Sequence, residues 1–222
     1  MNTITVTGYA EMKIRPDTTK VSLDLSSIHK NYDDAIRIAS KNVEEIKEII
    51  ILNGFKNDDL KTTNYSIKPR YENYKADDGS YKSRQIGYEY NEALEFSFSN
   101  DNVLLGKLLY EISNSKLNAI IKLSFFNSNI EELKDELLAK CVRSAKKKAI
   151  ILADSANVLL GEIINIEHGD YHINYFNDEY EMGANQDNIF LARSYDVNIN
   201  PDDIKLKDKV TITWELKGDK KL

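Results

Sequence analysis

Apolar residues recur along this chain with two different periods, and the switches between them outline a fold. Near the start, Ile4 and Val6 alternate with threonines. After a short Arg15-Pro16-Asp17 turn, Val21, Leu23 and Leu25 alternate with Ser22, Asp24 and Ser26. A period of two marks a strand with one buried face, so two strands are predicted across Ile4 to Ser27. The period then lengthens. Ala35, Ile38, Ala39, Val43, Ile46, Ile49 and Ile50 form one stripe of a helix from about Tyr32 to Asn53, and Gly54 supplies the stop. Alternation returns in Thr63, Tyr65, Ile67, Pro69 and Tyr71. Pro69 has no N–H to give to a ladder, so its end of the strand belongs at a sheet edge or off the sheet.

A polar loop between Glu72 and Gln85, turning at Asp78-Gly79, leads into a strand from Gly87 to Ser99, with Tyr88, Tyr90, Leu94, Phe96 and Phe98 in phase. Asn100-Asp101 caps a helix through about Ser115, and Ala119 to Asn127 returns as a strand. A second long helix, from Ile130 to about Asn157, buries Leu133, Leu137, Cys141, Ala145, Ala149, Leu152 and Ala156. Leu159-Leu160-Gly161 closes it, and Glu162 to Tyr171 reads as a strand. Residues 172–196 lose all periodicity. The last strand turns Val210, Ile212, Trp214 and Leu216 inward. From Lys20 to Asn127 the order β-α-β-β-α-β describes a split βαβ arrangement. The expectation is an α+β fold: a mostly antiparallel sheet with this core, three helices packed on it, and extra N- and C-terminal strands. It is read as a single domain over residues 1–222 with a mobile insertion at about 172–196.

Charge and composition narrow the function. With 30 basic against 36 acidic residues the net charge is −6, which repels phosphate backbones, so no nucleic-acid partner is expected. One cysteine, Cys141, rules out an internal disulfide framework. Met1-Asn2 leads straight into a strand pattern rather than into a signal peptide's apolar run, and no run approaches the length of a transmembrane segment. A soluble, cytoplasmic protein is expected from the sequence as it stands.

The ordered landmarks carry a resemblance. Val6-Thr7-Gly8 and Pro16-Asp17 are followed by Gly54, Pro69-Arg70-Tyr71, Gly87-Tyr88-Glu89-Tyr90-Asn91 and a helix starting near Asp101. Then come the alanine-rich stretch Ala139 to Ala156, Leu160-Gly161, Pro201-Asp202 and the strand Val210 to Leu216. Over about residues 3–217 this order resembles the SIMPL-domain family, formerly domain of unknown function 541. Ala10 replaces a second glycine common in the family's opening, and Pro201-Asp202 its late Pro-Gly. Many bacterial members are exported. The resemblance implies self-assembly, as in some bacterial members, and kinase-associated signalling, as in a mammalian one. It brings no agreed catalytic residues.

Several constellations invite chemistry. In His168-Gly169-Asp170-Tyr171-His172, an extended backbone puts His168, Asp170 and His172 on one face, a candidate metal set; a solvated strand end is the competing reading. Cys141 lies on its helix's apolar stripe and reads as a small buried hydrophobe. Glu92 falls in phase with core positions; a bulge turning it to solvent is favoured over a buried functional acid. Arg143-Ser144-Ala145-Lys146-Lys147-Lys148 reads as a solvated helix face. The segment Asp170 to Tyr195 gathers Tyr171, Tyr175, Phe176, Tyr180, Met182, Phe190 and Tyr195, and aromatics of this density suit an interaction arm.

Phosphate-loop, dinucleotide and serine-hydrolase signatures are absent. The reading is a non-enzymatic, self-associating domain with no cofactor. It forms a homo-oligomer, is open to a protein partner, and presents sheet edges or the arm for binding. The alternative is a small-molecule-binding protein or enzyme with the Tyr-rich sheet face (Tyr65, Tyr71, Tyr88, Tyr90) as a pocket wall.

Overall fold

The computed structural model describes residues 2–115, 117–169, 180–183 and 199–219. In chain order the elements are β1 (Thr3–Ile14), β2 (Thr18–His29), α1 (Tyr32–Leu52), β3 (Lys61–Lys75), β4 (Tyr81–Ser99), α2 (Asn102–Asn114), β5 (Ala119–Phe126), α3 (Ile130–Ser155), β6 (Val158–Glu167), β7 (Tyr180–Gly183) and β8 (Ile204–Asp219). The fold is α+β, as the alternating periods require. β1 and β2 are consecutive, yet they join different sheets, and the chain divides into two compact units at Pro16 and Asp17.

The first unit holds the sheet β1-β8-β6 and α3. β1 and β8 run antiparallel with Ile4 opposite Trp214, Val6 opposite Ile212 and Gly8 opposite Val210. On the other face, the Thr5–Thr213 and Thr7–Thr211 hydroxyls bond at 2.9 Å. Every fourth residue of α3 is buried: Leu137, Cys141, Ala145, Ala149 and Ala153. Cys141, Ala145 and Ala149 pack with Val6, Val210, Ile212 and Trp214, while Leu137 joins Ile14, Ile204 and Leu206. Leu152 and Ala156 are exposed rather than buried as expected, because the buried stripe keeps its four-residue stride to Ala153. Gly161 does not close the helix. Asn157, with φ 57°, takes the left-handed conformation after the last turn, and β6 has begun by Val158.

The small residues of α3 explain the opening Val6-Thr7-Gly8. A Cβ on Gly8 would lie 2.5 Å from the Ala145 amide nitrogen and 2.9 Å from the Ala145 Cβ, and closer still to the Cys141 carbonyl oxygen. The helix therefore rests on the backbone of β1, and this position has room only for glycine.

The second unit has the strand order β3-β4-β2-β5-β7, which is the split βαβ arrangement with β7 added outside β5. Val21, Leu23 and Leu25 of β2 pack with Ala35, Ala39, Ile46 and Ile50 of α1, Leu105 and Leu108 of α2, and Leu123 of β5. Phe96 stands edge-on to Phe55 at 5.3 Å between ring centroids and stacks on Phe98 at 6.3 Å. Gly54, with φ 90°, follows α1 as expected, and Asp101 Oδ1 caps α2 by accepting from the Val103 and Leu104 amides at 2.9 and 3.0 Å.

The hairpin between β3 and β4 has longer strands than the pattern predicts. β3 continues to Lys75 and β4 starts at Tyr81, leaving only Ala76 to Ser80 as the turn. This ribbon is exposed on both faces, so no apolar alternation marks it. Cross-strand contacts hold it instead, among them Arg84 with Glu72 at 3.1 Å and Arg84 over the Tyr74 ring at 5.3 Å. Pro69 lies on β3, the outermost strand, where a missing N–H is tolerated. β7 falls within the stretch expected to be aperiodic; four residues are too few to show a period. No helix among the described residues is long and apolar enough to cross a membrane.

Candidate functional site

The face of β4 that meets α1 carries Tyr88, Tyr90, Glu92, Leu94 and Phe96. Glu92 pairs with Leu25 of β2 on one side and Tyr65 of β3 on the other, and the ladder runs unbroken through it. The bulge expected to turn Glu92 to solvent is therefore not there. The irregularities of this hairpin fall at Thr62/Asn64 and Arg70/Tyr71, and Glu92 stays in its core-facing position, only 5% exposed.

Its carboxylate is poorly satisfied. Oε2 has no hydrogen-bond partner among the described residues. Lys47 on α1 is the nearby cation, but its ammonium sits 3.0 Å from Glu44 Oε1. Burial pushes the Glu92 carboxyl above the usual glutamate range, and Lys47 offsets only part of this.

Tyrosines surround the position. The Tyr90 hydroxyl accepts from Asn42 Nδ2, its ring stacks with His29 at 6.3 Å, and His29 Nε2 lies 2.6 Å from Ser27 Oγ. Tyr32, at the start of α1, is edge-on to Tyr88 at 5.5 Å. Tyr65 is 49% exposed, and its phenol is pushed up by burial and then by the charge of Glu92. Three members of the Tyr-rich face, Tyr65, Tyr88 and Tyr90, thus share one side of the sheet. The bulge after Arg70 carries Tyr71 onto the exposed ribbon.

A pH dependence follows. The folded state holds the Glu92 proton more tightly than the unfolded chain, so the carboxyl costs nothing below roughly pH 4.5, and the penalty grows as pH rises through the folded value. Glu92→Gln should melt like the native protein at pH 4. At pH 8 it should be more stable by about 1 kcal/mol, the low end of the penalty for an unpartnered buried polar group. Melting curves at the two pH values check this; an equal difference at both would contradict it.

A second surface lies in the other unit. β6 is an outer strand of its sheet, and Leu159, Ile163, Ile164 and Ile166 on it are each about half exposed. Ile163 is opposite Trp214 and Ile166 opposite Ile212, so both belong to the face that α3 covers over β1 and β8. On β6 itself Leu160 packs against that cluster, while Ile163 and Ile166 stay about half exposed. The last turns of α3 add exposed Ile150, Ile151 and Leu152. Edge strands in soluble domains usually carry charges or proline, and β6 has only Glu162 and Glu167.

The remaining sequence candidates separate. His168 Nε2 lies 3.0 Å from Asp208 Oδ2, while Asp170 and His172 lie outside the described residues. No group of three metal-ligating side chains occurs among those described. Cys141 is fully buried, and burial followed by the charge of Asp208 pushes its thiol up, the wrong direction for a nucleophile. Lys148, from the basic run, donates to the Thr7 carbonyl at 2.9 Å and lies over the Tyr9 ring. Of the arm, the backbone of Tyr180 begins β7 opposite Leu123. Tyr171, Tyr175, Phe176, Phe190 and Tyr195 lie outside the described residues. Sequence reasoning missed the β6 surface, although Ile163-Ile164 and Ile166 were its signal.

The chain is similar to the 26 kDa periplasmic immunogenic protein of Brucella melitensis biotype 1, with 27% identity over 164 residues, 73% of this chain and 65% of that protein. The protein of the same name from Brucella abortus strain S19 matches to the same extent. The match thus spans less than two thirds of these relatives' length. The family model described as "Protein of unknown function (DUF541)" matches residues 4–214, and the chain belongs to this family, SIMPL.

Proposed function

We propose that this protein is a non-enzymatic SIMPL-family protein that self-associates and presents sheet edges for binding. The observation that carries the reading is the outer strand β6, where Ile163 and Ile166 are about half exposed on one face of the sheet and Leu159 and Ile164 are about half exposed elsewhere along the strand. An apolar surface of this size on a chain with 30% charged residues is a docking face, since water against it is costly and pairing with a second copy removes that cost. The aromatic segment Tyr171 to Tyr195 follows β6 in the chain, and in this reading it supplies further contact area to the neighbouring copy.

The test is the paired change Ile164→Lys with Ile166→Lys. Charges on this edge should reduce the assembly mass measured by sedimentation while leaving the circular dichroism spectrum and monomer fold intact. An unchanged assembly mass would remove β6 from the interface. Deleting residues 173–192 tests the arm separately: a lower mass is expected, and an unchanged one would contradict its docking.

A further inference from the structure

Glu92 has no place in self-association through β6, which lies in the other unit, yet with Asn53 it is one of two described residues with a buried side-chain oxygen that has no hydrogen-bond partner. A buried carboxylate oxygen without a partner calls for an explanation, and a bound cationic donor is one. We propose that Glu92 and the tyrosines beside it form a binding site for a small organic ammonium ion, a primary amine on an apolar body, with Glu92 as acceptor and Tyr65 as the ring against the cation.

The chemistry follows from what is present. The unsatisfied group is an acceptor of negative charge, so its complement is a cationic donor. A charge-assisted bond to Oε2 would supply the missing partner. The adjoining side chains are rings and aliphatics: Tyr65 and Tyr90 flank Glu92 on the same face, Leu25 and Ile67 lie on the neighbouring strands, and Tyr32 packs on Tyr88 further along. Phenol faces attract ammonium groups through their quadrupoles, and the aliphatic neighbours suit an apolar body. A divalent metal is not supported, because Glu92 has no second carboxylate or imidazole to complete a coordination set among the described residues.

Access is also present. β3 is an edge strand whose residues are exposed apart from Ser66 and Ile67, which are half-buried. Tyr65 stands directly across the ladder from Glu92 and is half exposed, and in this proposal its ring turns to admit the ligand. The protein's own competitor is Lys47, and its ion pair with Glu44 keeps it off the site.

The probe is 2-phenylethylamine, titrated in the millimolar range into the full chain and followed by ligand-observed NMR, with 2-phenylethanol as the neutral isostere. The native protein should bind the amine saturably and the alcohol not at all. Glu92→Gln should weaken binding by about tenfold or more, the loss of a charge-assisted bond. Tyr65→Ala should weaken it several-fold, and Lys47→Met should strengthen it. Circular dichroism and melting curves establish that each variant is folded, and the Lys47→Met gain is a readout no fold defect produces. Absence of saturable amine binding to the native chain, equal binding of amine and alcohol, or undiminished binding by Glu92→Gln would each overturn the proposal. The self-association reading would stand in all three cases, since its tests use β6 and the arm alone.

Discussion

Gly8→Ala should be among the most damaging single-methyl changes available in this protein, costing roughly 3 kcal/mol, the upper end of the range for forcing volume into a packed core. The reason is that the added Cβ meets main chain. The Ala145 amide nitrogen would stand 2.5 Å away, with the Cys141 carbonyl nearer still, and neither can turn aside as a side-chain tip would. Relief requires α3 to lift from β1, which opens the cluster of Val6, Cys141, Ala145, Ala149, Val210, Ile212 and Trp214. Trp214 is the chain's single tryptophan, so its fluorescence reports on this core and should shift red at lower denaturant. Gly169→Ala serves as the control, because a Cβ there meets nothing within 4 Å and should be neutral. Equal midpoints for Gly8→Ala and the native chain would mean that the close packing of α3 on β1 is wrong.

Phe96→Ala should cost about 3–5 kcal/mol in the other unit. Phe96 is among the largest fully buried side chains, and it holds Phe55 edge-on and Phe98 stacked. Its loss removes both the ring's transfer free energy and two aromatic contacts. Phe55 follows Gly54 just beyond α1, so the end of that helix loses its anchor to the sheet at the same time. Denaturant unfolding followed by far-ultraviolet circular dichroism measures the effect. A loss below about 1 kcal/mol would show that neighbouring side chains close the cavity, contrary to a tightly packed core.

Most of the second unit was legible in the sequence because most of its elements hide one face. The alternation of Val21, Leu23 and Leu25 and the stripe from Ala35 to Ile50 exist because those residues pack on each other. Where burial was absent, the signal was absent too. The β3–β4 ribbon is wet on both faces and reads as loop, and β6 carries isoleucines on a strand whose outer edge pairs with no strand among the described residues. Local patterns also say nothing of strand partners. β1 and β2 alternate equally well, and only the long-range pairing of Ile4 with Trp214 and of Val21 with Phe96 assigns them to separate sheets. Glu92 failed for a different reason. A carboxylate in phase with core residues is normally expelled, and a bulge was the economical expectation; here the ladder continues straight past it. Such a break in an otherwise consistent pattern is where a function is best sought.

In the proposed assembly the exposed apolar edge of β6 is covered by another copy of the chain. Light scattering of the native chain across a wide dilution series measures this most directly. A mass that stays at a fixed multiple of 25.5 kDa down to low concentration is the predicted result. A mass of one chain throughout, with the β6 isoleucines still open to water, would contradict it.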